Sequence, residues 1–288
     1  MRIGFIGVGE AGYNIALGLH GEGAVDMLAF DAMAASGKNE VLIQRAADCH
    51  IELAENVQAV AEQCDVAFLA VPANAAIAIT RQIATCLKPG LLYVDVTTAS
   101  PSEKQEMSEL LLAADGDYVD AAMLGSLPKY RHQVPMLISG GGCERLISTM
   151  APFHMDLTLV NEIPGAATSI KYVRSIVTKG IACVLFEALQ AAKRFSVEDV
   201  VVDSILESMN CPFIDTLNRY VTGTAIHAAR RVHEMENVKT MLQQSRLPTA
   251  MTDATIDTLR RVDAYNFKEV FGNKSPSTWQ DVVGALDS

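Results

Sequence analysis

The chain has 288 residues, half of them hydrophobic, which excludes a disordered polymer and provides a sizeable core for one large or two medium domains. A formal net charge of −11 works against non-specific binding to nucleic acid or to an anionic membrane surface, so neither is expected as a partner. Six cysteines, Cys49, Cys64, Cys86, Cys143, Cys183 and Cys211, are scattered without a Cys-x-x-Cys pair and read as buried thiols of a reducing compartment, with no metal site expected.

The first predicted element is a strand over Ile3-Gly4-Phe5-Ile6, which leaves no room for a signal peptide. It runs directly into Gly7-x-Gly9-x-x-Gly12 and then into the helix-like Tyr13–Leu19. In such a turn the first glycine permits the sharp reversal, the second lets backbone approach a pyrophosphate, and the third lets helix and strand pack closely. Free N–H groups at the helix start, on Glu10, Ala11 and Gly12, attract phosphates. The next apolar run ends at Asp31, where a carboxylate accepts hydrogen bonds from ribose hydroxyls and repels a 2′-phosphate. Ala32-Met33-Ala34-Ala35 brings no arginine to offset it, which favours NAD; Ser36 and Lys38 remain within reach of a phosphate, so NADP stays open.

Further apolar runs at 66–71, 91–94, 118–119 and 136–138 alternate with helix-like stretches, which predicts an α/β domain with a doubly wound, mostly parallel sheet of the Rossmann type over residues 1–162. Val71 and Pro72 follow one run and Asp95 follows the next, which sets them at the carboxyl edge where ligands bind, Val71 and Pro72 against the dinucleotide. After Pro164 the strand-like runs stop. A proline-free stretch from Ala166 to Arg194 predicts a helix about 45 Å long at 1.5 Å per residue, leading an all-helical domain over 163–288. More helices are expected at 197–209, 212–221, 224–245 and 249–262, with a loop and a short helix from Asn273. Charge interrupts the apolar stretches before membrane-spanning length, as at Glu187, so a cytoplasmic protein is expected. The apolar helix faces suit burial in a homodimer.

Three more stretches arrive in a definite order: Asp95-Val96-Thr97-Thr98-Ala99-Ser100-Pro101, Asp120-Ala121-Ala122-Met123-Leu124-Gly125, and Gly165-Ala166-Ala167-Thr168-Ser169-Ile170-Lys171. Together with the glycine turn they resemble the β-hydroxyacid dehydrogenase family, relatives of 6-phosphogluconate dehydrogenase. The stretches from Lys171 to Gly180 and from His227 to Glu236 are similar to a branch with its own phosphogluconate-dehydrogenase C-terminal domain. The resemblance implies hydride transfer between a nicotinamide and a small hydroxy acid, with Lys171 taking the hydroxyl proton. A free lysine titrates near ~10.4, and a closed cleft, the nicotinamide charge and Arg174 would lower that value. Read without the family, Lys171 is first of all a solvated helix lysine.

The same resemblance makes Thr97 the match for a substrate-binding serine beside the cofactor, with Thr98 next to it. Thr98 or Ser100 is also suited to cap a helix starting at Pro101, with Glu103 in its first turn. Two departures stand out. Leu124-Gly125-Ser126 replaces the family's Ser-Gly-Gly, which leaves backbone N–H groups there but loses a hydroxyl. Ser175 replaces an asparagine one turn after the lysine, on the same helix face as Lys171. Both changes imply a bulkier or less acidic small-molecule substrate. Replacement anion binders are Lys129, Arg131 and His132, or His227 with Arg231, one helical turn apart. Rival readings are an imine reductase, which typically lacks the lysine, and a dinucleotide-binding sensor without turnover.

Overall fold

The structure, a computed structural model, describes residues 1–37 and 39–286. Lys38, named above as a phosphate contact, lies outside the described residues. The chain divides into two compact units, Met1–Ser175 and Ile176–Ser288.

In the first unit the strands are β1 Ile3–Ile6, β2 Met27–Phe30, β3 Glu52–Leu53, β4 Val66–Leu69, β5 Leu92–Asp95, β6 Asp117–Met123, β7 Met136–Ser139 and β8 Leu157–Asn161. They form one sheet in the order β3-β2-β1-β4-β5-β6-β7-β8, with every neighbour pair parallel except β6 with β7. The helices are α1 Glu10–Gly21, α2 Ala32–Ala35, α3 Glu40–Asp48, α4 Val57–Gln63, α5 Ala73–Ile83, α6 Pro101–Ala113, α7 Leu127–Tyr130 and α8 Cys143–Met150. Side chains alternate across each strand, so Ile3 and Phe5 join one core, with Leu19 and Phe68, while Ile6 joins the other, with Leu28, Val60 and Tyr93. The strand order reverses between β1 and β4, and in open α/β sheets ligands bind at the carboxyl ends flanking such a reversal. The doubly wound sheet expected from the sequence is present, with β3 and β8 added at its two edges.

The long helix is α9 Ala166–Phe195, followed by α10 Glu198–Met209, α11 Phe213–Gln244, α12 Ala250–Ala264, α13 Phe267–Val270 and α14 Trp279–Gly284. Two helices were expected over 212–245, parting at 222–223; α11 is helical through Gly223 and the break falls instead at His227 (φ −116°, ψ 17°), where two helices join across a kink. Gly223 disfavours a helix by only about 1 kcal/mol relative to alanine, which packing of Val232 against Ile256 and Leu259 of α12 readily offsets. Glu187 on α9 supplies the start of α12 with acceptors: it takes the N–H groups of Met251 and Thr252 at 2.9 and 2.8 Å and the Thr252 hydroxyl at 2.6 Å.

Two expectations are corrected here. Cys183 and Cys211 are exposed and Cys86 is half-buried, because the first two lie on or between surface helices of the second unit. The thiols that are buried respond as burial dictates: Cys49 is pushed up to about 11, and Cys64 and Cys143 to about 12. The apolar stretch of α9 is also not cut short by charge. By length and composition alone it is long and apolar enough to cross a membrane, and nearly all of that window is exposed. Glu187 interrupts the letters of the sequence without interrupting the helix.

Candidate functional site

The glycine turn at the end of β1 is built by three different constraints. Gly7 has φ +94°, and a Cβ on it would lie 2.5 Å from the Ala70 carbonyl oxygen. A Cβ on Gly12 would lie 2.1 Å from the carbonyl oxygen of Gly7, so the helix can approach the turn only without one. Around Gly9 nothing lies within 4 Å of where a Cβ would point, which is open space for a ligand. Gly9 is also the N-cap of α1 and offers no side-chain acceptor, so the first amides of the helix, on Glu10, Ala11 and Gly12, face outward as donors. These features fit a dinucleotide pyrophosphate.

Asp31 does more than the sequence suggested. Its Oδ1 accepts the N–H groups of Met33 and Ala34 at 2.9 and 3.3 Å, capping α2, while its Oδ2 accepts the N–H of Val8 at 3.0 Å. The same carboxylate therefore holds the glycine turn against the end of β2. Val71 and Pro72 follow β4, with Pro72 as the N-cap of α5, on the other side of the strand-order reversal.

At the end of β5 the two threonines part company. Thr97 is buried, and its Oγ1 accepts the N–H of Ala99 at 3.3 Å, while Thr98 is exposed. Ser100, not Thr98, caps α6, in a capping box with Glu103. Leu124 is half-buried and its N–H is taken by the Pro135 carbonyl at 2.8 Å, so the amide counted on at this position is spent; Gly125 is exposed. Lys171 and Ser175 are both half-buried on one face of α9, with the Ser175 hydroxyl donating to the Lys171 carbonyl at 2.9 Å. The Tyr172 hydroxyl donates to the Thr98 carbonyl at 2.7 Å, which fastens the helix turn bearing Lys171 to the threonine loop.

The basic residues offered as replacement anion binders are dispersed. His132 is buried against α1, so tightly that a Cβ on Gly18 would meet its Nδ1 at 2.0 Å, and burial lowers its pKa. It sits at the far end of α1 from Gly9, with Lys129 and Arg131 exposed beside it. In the second unit His227 is exposed at the kink, in a hollow with Arg230 and Asp263, while Arg231 donates to the Thr224 hydroxyl. The kink falls at His227 itself, so the pair does not lie on one uninterrupted helical turn.

Behind this edge lie Asp95 and Asp120, which head two of the sequence motifs but were given no role, and Lys104, which the sequence did not single out. Lys104, Asp95 and Asp120 are completely buried together, and the Tyr118 hydroxyl donates to Asp95 at 2.9 Å. Burial first, then the charges of Asp95 and Asp120, push the Tyr118 phenol well above its ordinary range, so it stays a donor. Two acidic residues ending apolar runs were the available signal; a lysine on an ordinary helix gave none.

Comparison with known proteins places the chain in a family. Residues 2–158 match the NAD binding domain of 6-phosphogluconate dehydrogenase, and residues 192–262 match a domain of unknown function, DUF1932. The 2-(hydroxymethyl)glutarate dehydrogenase of Eubacterium barkeri is 31% identical over 198 residues, 66% of this chain and 62% of that protein. A conserved hypothetical protein from Sinorhizobium meliloti has a solved structure that is 30% identical, with a TM-score of 0.62 over 90% of this chain and 87% of that one. An imine reductase variant from Myxococcus stipitatus in complex with NAD+ shares the fold at a TM-score of 0.76, 15% identity and 99% of each chain. The imine reductase from the same organism in complex with NADP+ does so at 0.75, with 14% identity, 92% of this chain and 94% of that one. The chain thus belongs to the family built on the NAD-binding domain of 6-phosphogluconate dehydrogenase, here joined to a helical DUF1932 domain, and is related to the hydroxyacid dehydrogenases.

Proposed function

We propose that this protein is an NAD-dependent oxidoreductase that moves a hydride between the nicotinamide and a small hydroxy acid or related β-hydroxy compound, with Lys171 as the acid/base. The observation that carries this reading is the bond from Tyr172 to the Thr98 carbonyl at 2.7 Å, which ties the turn bearing Lys171 to a hydroxyl-bearing loop at the carboxyl edge of a dinucleotide-binding sheet. A bound nicotinamide supplies the hydride acceptor or donor. Lys171 takes the proton from the substrate hydroxyl on oxidation and returns it on reduction, with Ser175 on the same face. Thr98 orients the substrate and the buried Thr97 stiffens its loop. Leu124 and Gly125 border the substrate with less polarity than a serine would give, which suits a less acidic compound.

NAD is preferred over NADP because Asp31 presents a carboxylate where a 2′-phosphate would sit, with no arginine in Ala32–Ala35. The exposed apolar residues of α9 and α10 meet a second copy of the chain, in a cytoplasmic homodimer.

The test is nicotinamide reduction by the purified protein with NAD and NADP offered separately, over a panel of 3-hydroxy acids, β-hydroxy amino acids and sugar acids. Turnover is expected with one class and NAD, and Lys171→Ala lowers kcat/KM by about 10²-fold or more. Turnover of Lys171→Ala within tenfold of the wild type would remove the lysine from the chemistry. Reduction of cyclic imines with silence on hydroxy acids would make the protein an imine reductase, and dinucleotide binding with no turnover at all would make it a sensor.

A further inference from the structure

Asp95 on β5 and Asp120 on β6 are register partners, and neither is exposed to solvent. The ammonium of Lys104, on α6 and equally buried, lies between them, 2.9 Å from Asp95 Oδ2 and 3.3 Å from Asp120 Oδ1. Its Nζ also donates to the carbonyl oxygens of Asp95 and Thr97, both at 3.1 Å. Desolvating three ionisable side chains is costly even when they pair, and an apolar filling often gives equal or greater stability. Their presence calls for a reason other than stability.

That reason is visible in what the remaining oxygens hold. Asp95 Oδ1 accepts the Thr97 N–H at 2.8 Å and so sets the threonine loop. Asp120 accepts the Thr168 N–H at 2.9 Å and the Thr168 hydroxyl at 2.7 Å, acting as an N-terminal cap for α9 supplied from a strand. Ser139 donates to Asp120 at 3.4 Å and accepts the Ala167 N–H at 3.1 Å, adding a second tie to the same helix end. The two segments also meet directly: Gly165, with φ +88°, leads into α9 so close to the start of α6 that a Cβ would lie 2.7 Å from the Pro101 carbonyl oxygen.

We propose that Lys104, Asp95 and Asp120 are positioning residues: one shared ammonium sets the separation between the Thr97–Thr98 loop and the first turns of α9, and so presents a substrate hydroxyl to Lys171. This rests on Lys171 being the acid/base. Lys104 touches no solvent and acts only through the two segments it bridges. A bridge makes a demand that a space-filling residue does not: its removal loosens both segments together.

The test compares wild type with Lys104→Met, which keeps length and loses the charge, and Thr168→Val, which loses one hydroxyl and keeps the ion pairs. Amide hydrogen exchange is followed together with kcat and KM for the substrate that the panel yields. For Lys104→Met, exchange at 97–100 and at 167–171 accelerates at least tenfold at both, with β1 and β4 unchanged, and kcat falls at least tenfold with KM within threefold. Thr168→Val shifts exchange at 167–171 and kcat in the same directions by a few fold, and it decides the matter if Lys104→Met does not fold. Faster exchange in only one segment of Lys104→Met, uniformly faster exchange over the whole sheet in either variant, or an unchanged kcat overturns the proposal. The exchange arm needs no substrate. Silence of the wild type on the whole panel would therefore remove Lys171 from the chemistry while exchange still judges the bridge.

Discussion

Gly7, Gly9 and Gly12 carry unequal burdens, and the inequality is measurable. A Cβ on Gly12 would meet a backbone oxygen at 2.1 Å, so Gly12→Ala must push α1 off the turn and lose about 3 kcal/mol in urea unfolding. Gly9 faces open space, so Gly9→Ala is expected to stay within about 1 kcal/mol of wild type. Its effect falls on binding instead, with dinucleotide affinity reduced about tenfold by titration fluorescence, a loss of about 1.4 kcal/mol. Equal loss of stability in the two variants would refute this division. The glycine turn and the strand end at Asp31 were legible in the sequence because their spacing forms a short pattern, although Ala70 behind Gly7 and the Val8 N–H on Asp31 are contacts that only the fold supplies. Lys104 was not legible, since a lysine three residues into a helix reads as solvated until the sheet edge is seen to enclose it. The two threonines show the same limit at closer range: both follow the same strand, and only the folded loop decides that Thr97 turns inward and Thr98 outward.

The inner strands were readable for a simple reason: β1, β4 and β5 are buried at every residue, and such strands are continuous apolar runs. β3 and β8 sit at the sheet's edges with mostly exposed side chains, and Glu52–Leu53 carries no pattern to detect. Among the helices, Glu187 is the instructive case. On a sequence it is a charge that interrupts an apolar run, whereas in the fold it caps α12 from the side. Burial alone would raise its pKa, but the hydrogen bonds from Thr252 and Met251 outweigh that and hold it below the ordinary value of 4.5. A carboxylate with a depressed folded pKa adds stability at pH values above 4.5, and that stability is lost as pH falls through the folded value. Glu187→Ala is therefore expected to cost about 1–2 kcal/mol at pH 7, the usual loss for an N-terminal cap. The gap between variant and wild type then narrows as thermal melts are taken below pH 4.5. A gap that stays constant down to pH 3 would mean that the carboxylate matters only through its packing.

At the scale of the whole molecule, the second unit exposes many large apolar side chains. Ile176, Phe186 and Val200 are each more than 70% exposed, and they are joined by Val184, Leu206 and Phe213 on the second unit. Monomers rarely expose a contiguous apolar patch beyond about 300–600 Å², and larger ones mark contact surfaces. The reading of a homodimer predicts a single dimeric species of the wild type in sedimentation velocity, and dissociation to monomers on the double change Phe186→Glu with Val200→Glu. A monomeric wild type would assign these residues to another partner. The first unit carries a different kind of commitment. Asp31 takes three backbone N–H groups, one of them from the glycine turn itself. Replacing it to admit a 2′-phosphate would also unfasten Val8 and uncap α2. One side chain therefore sets both the charge at the end of β2 and the stiffness of the glycine loop, so a change that alters the first slackens the second.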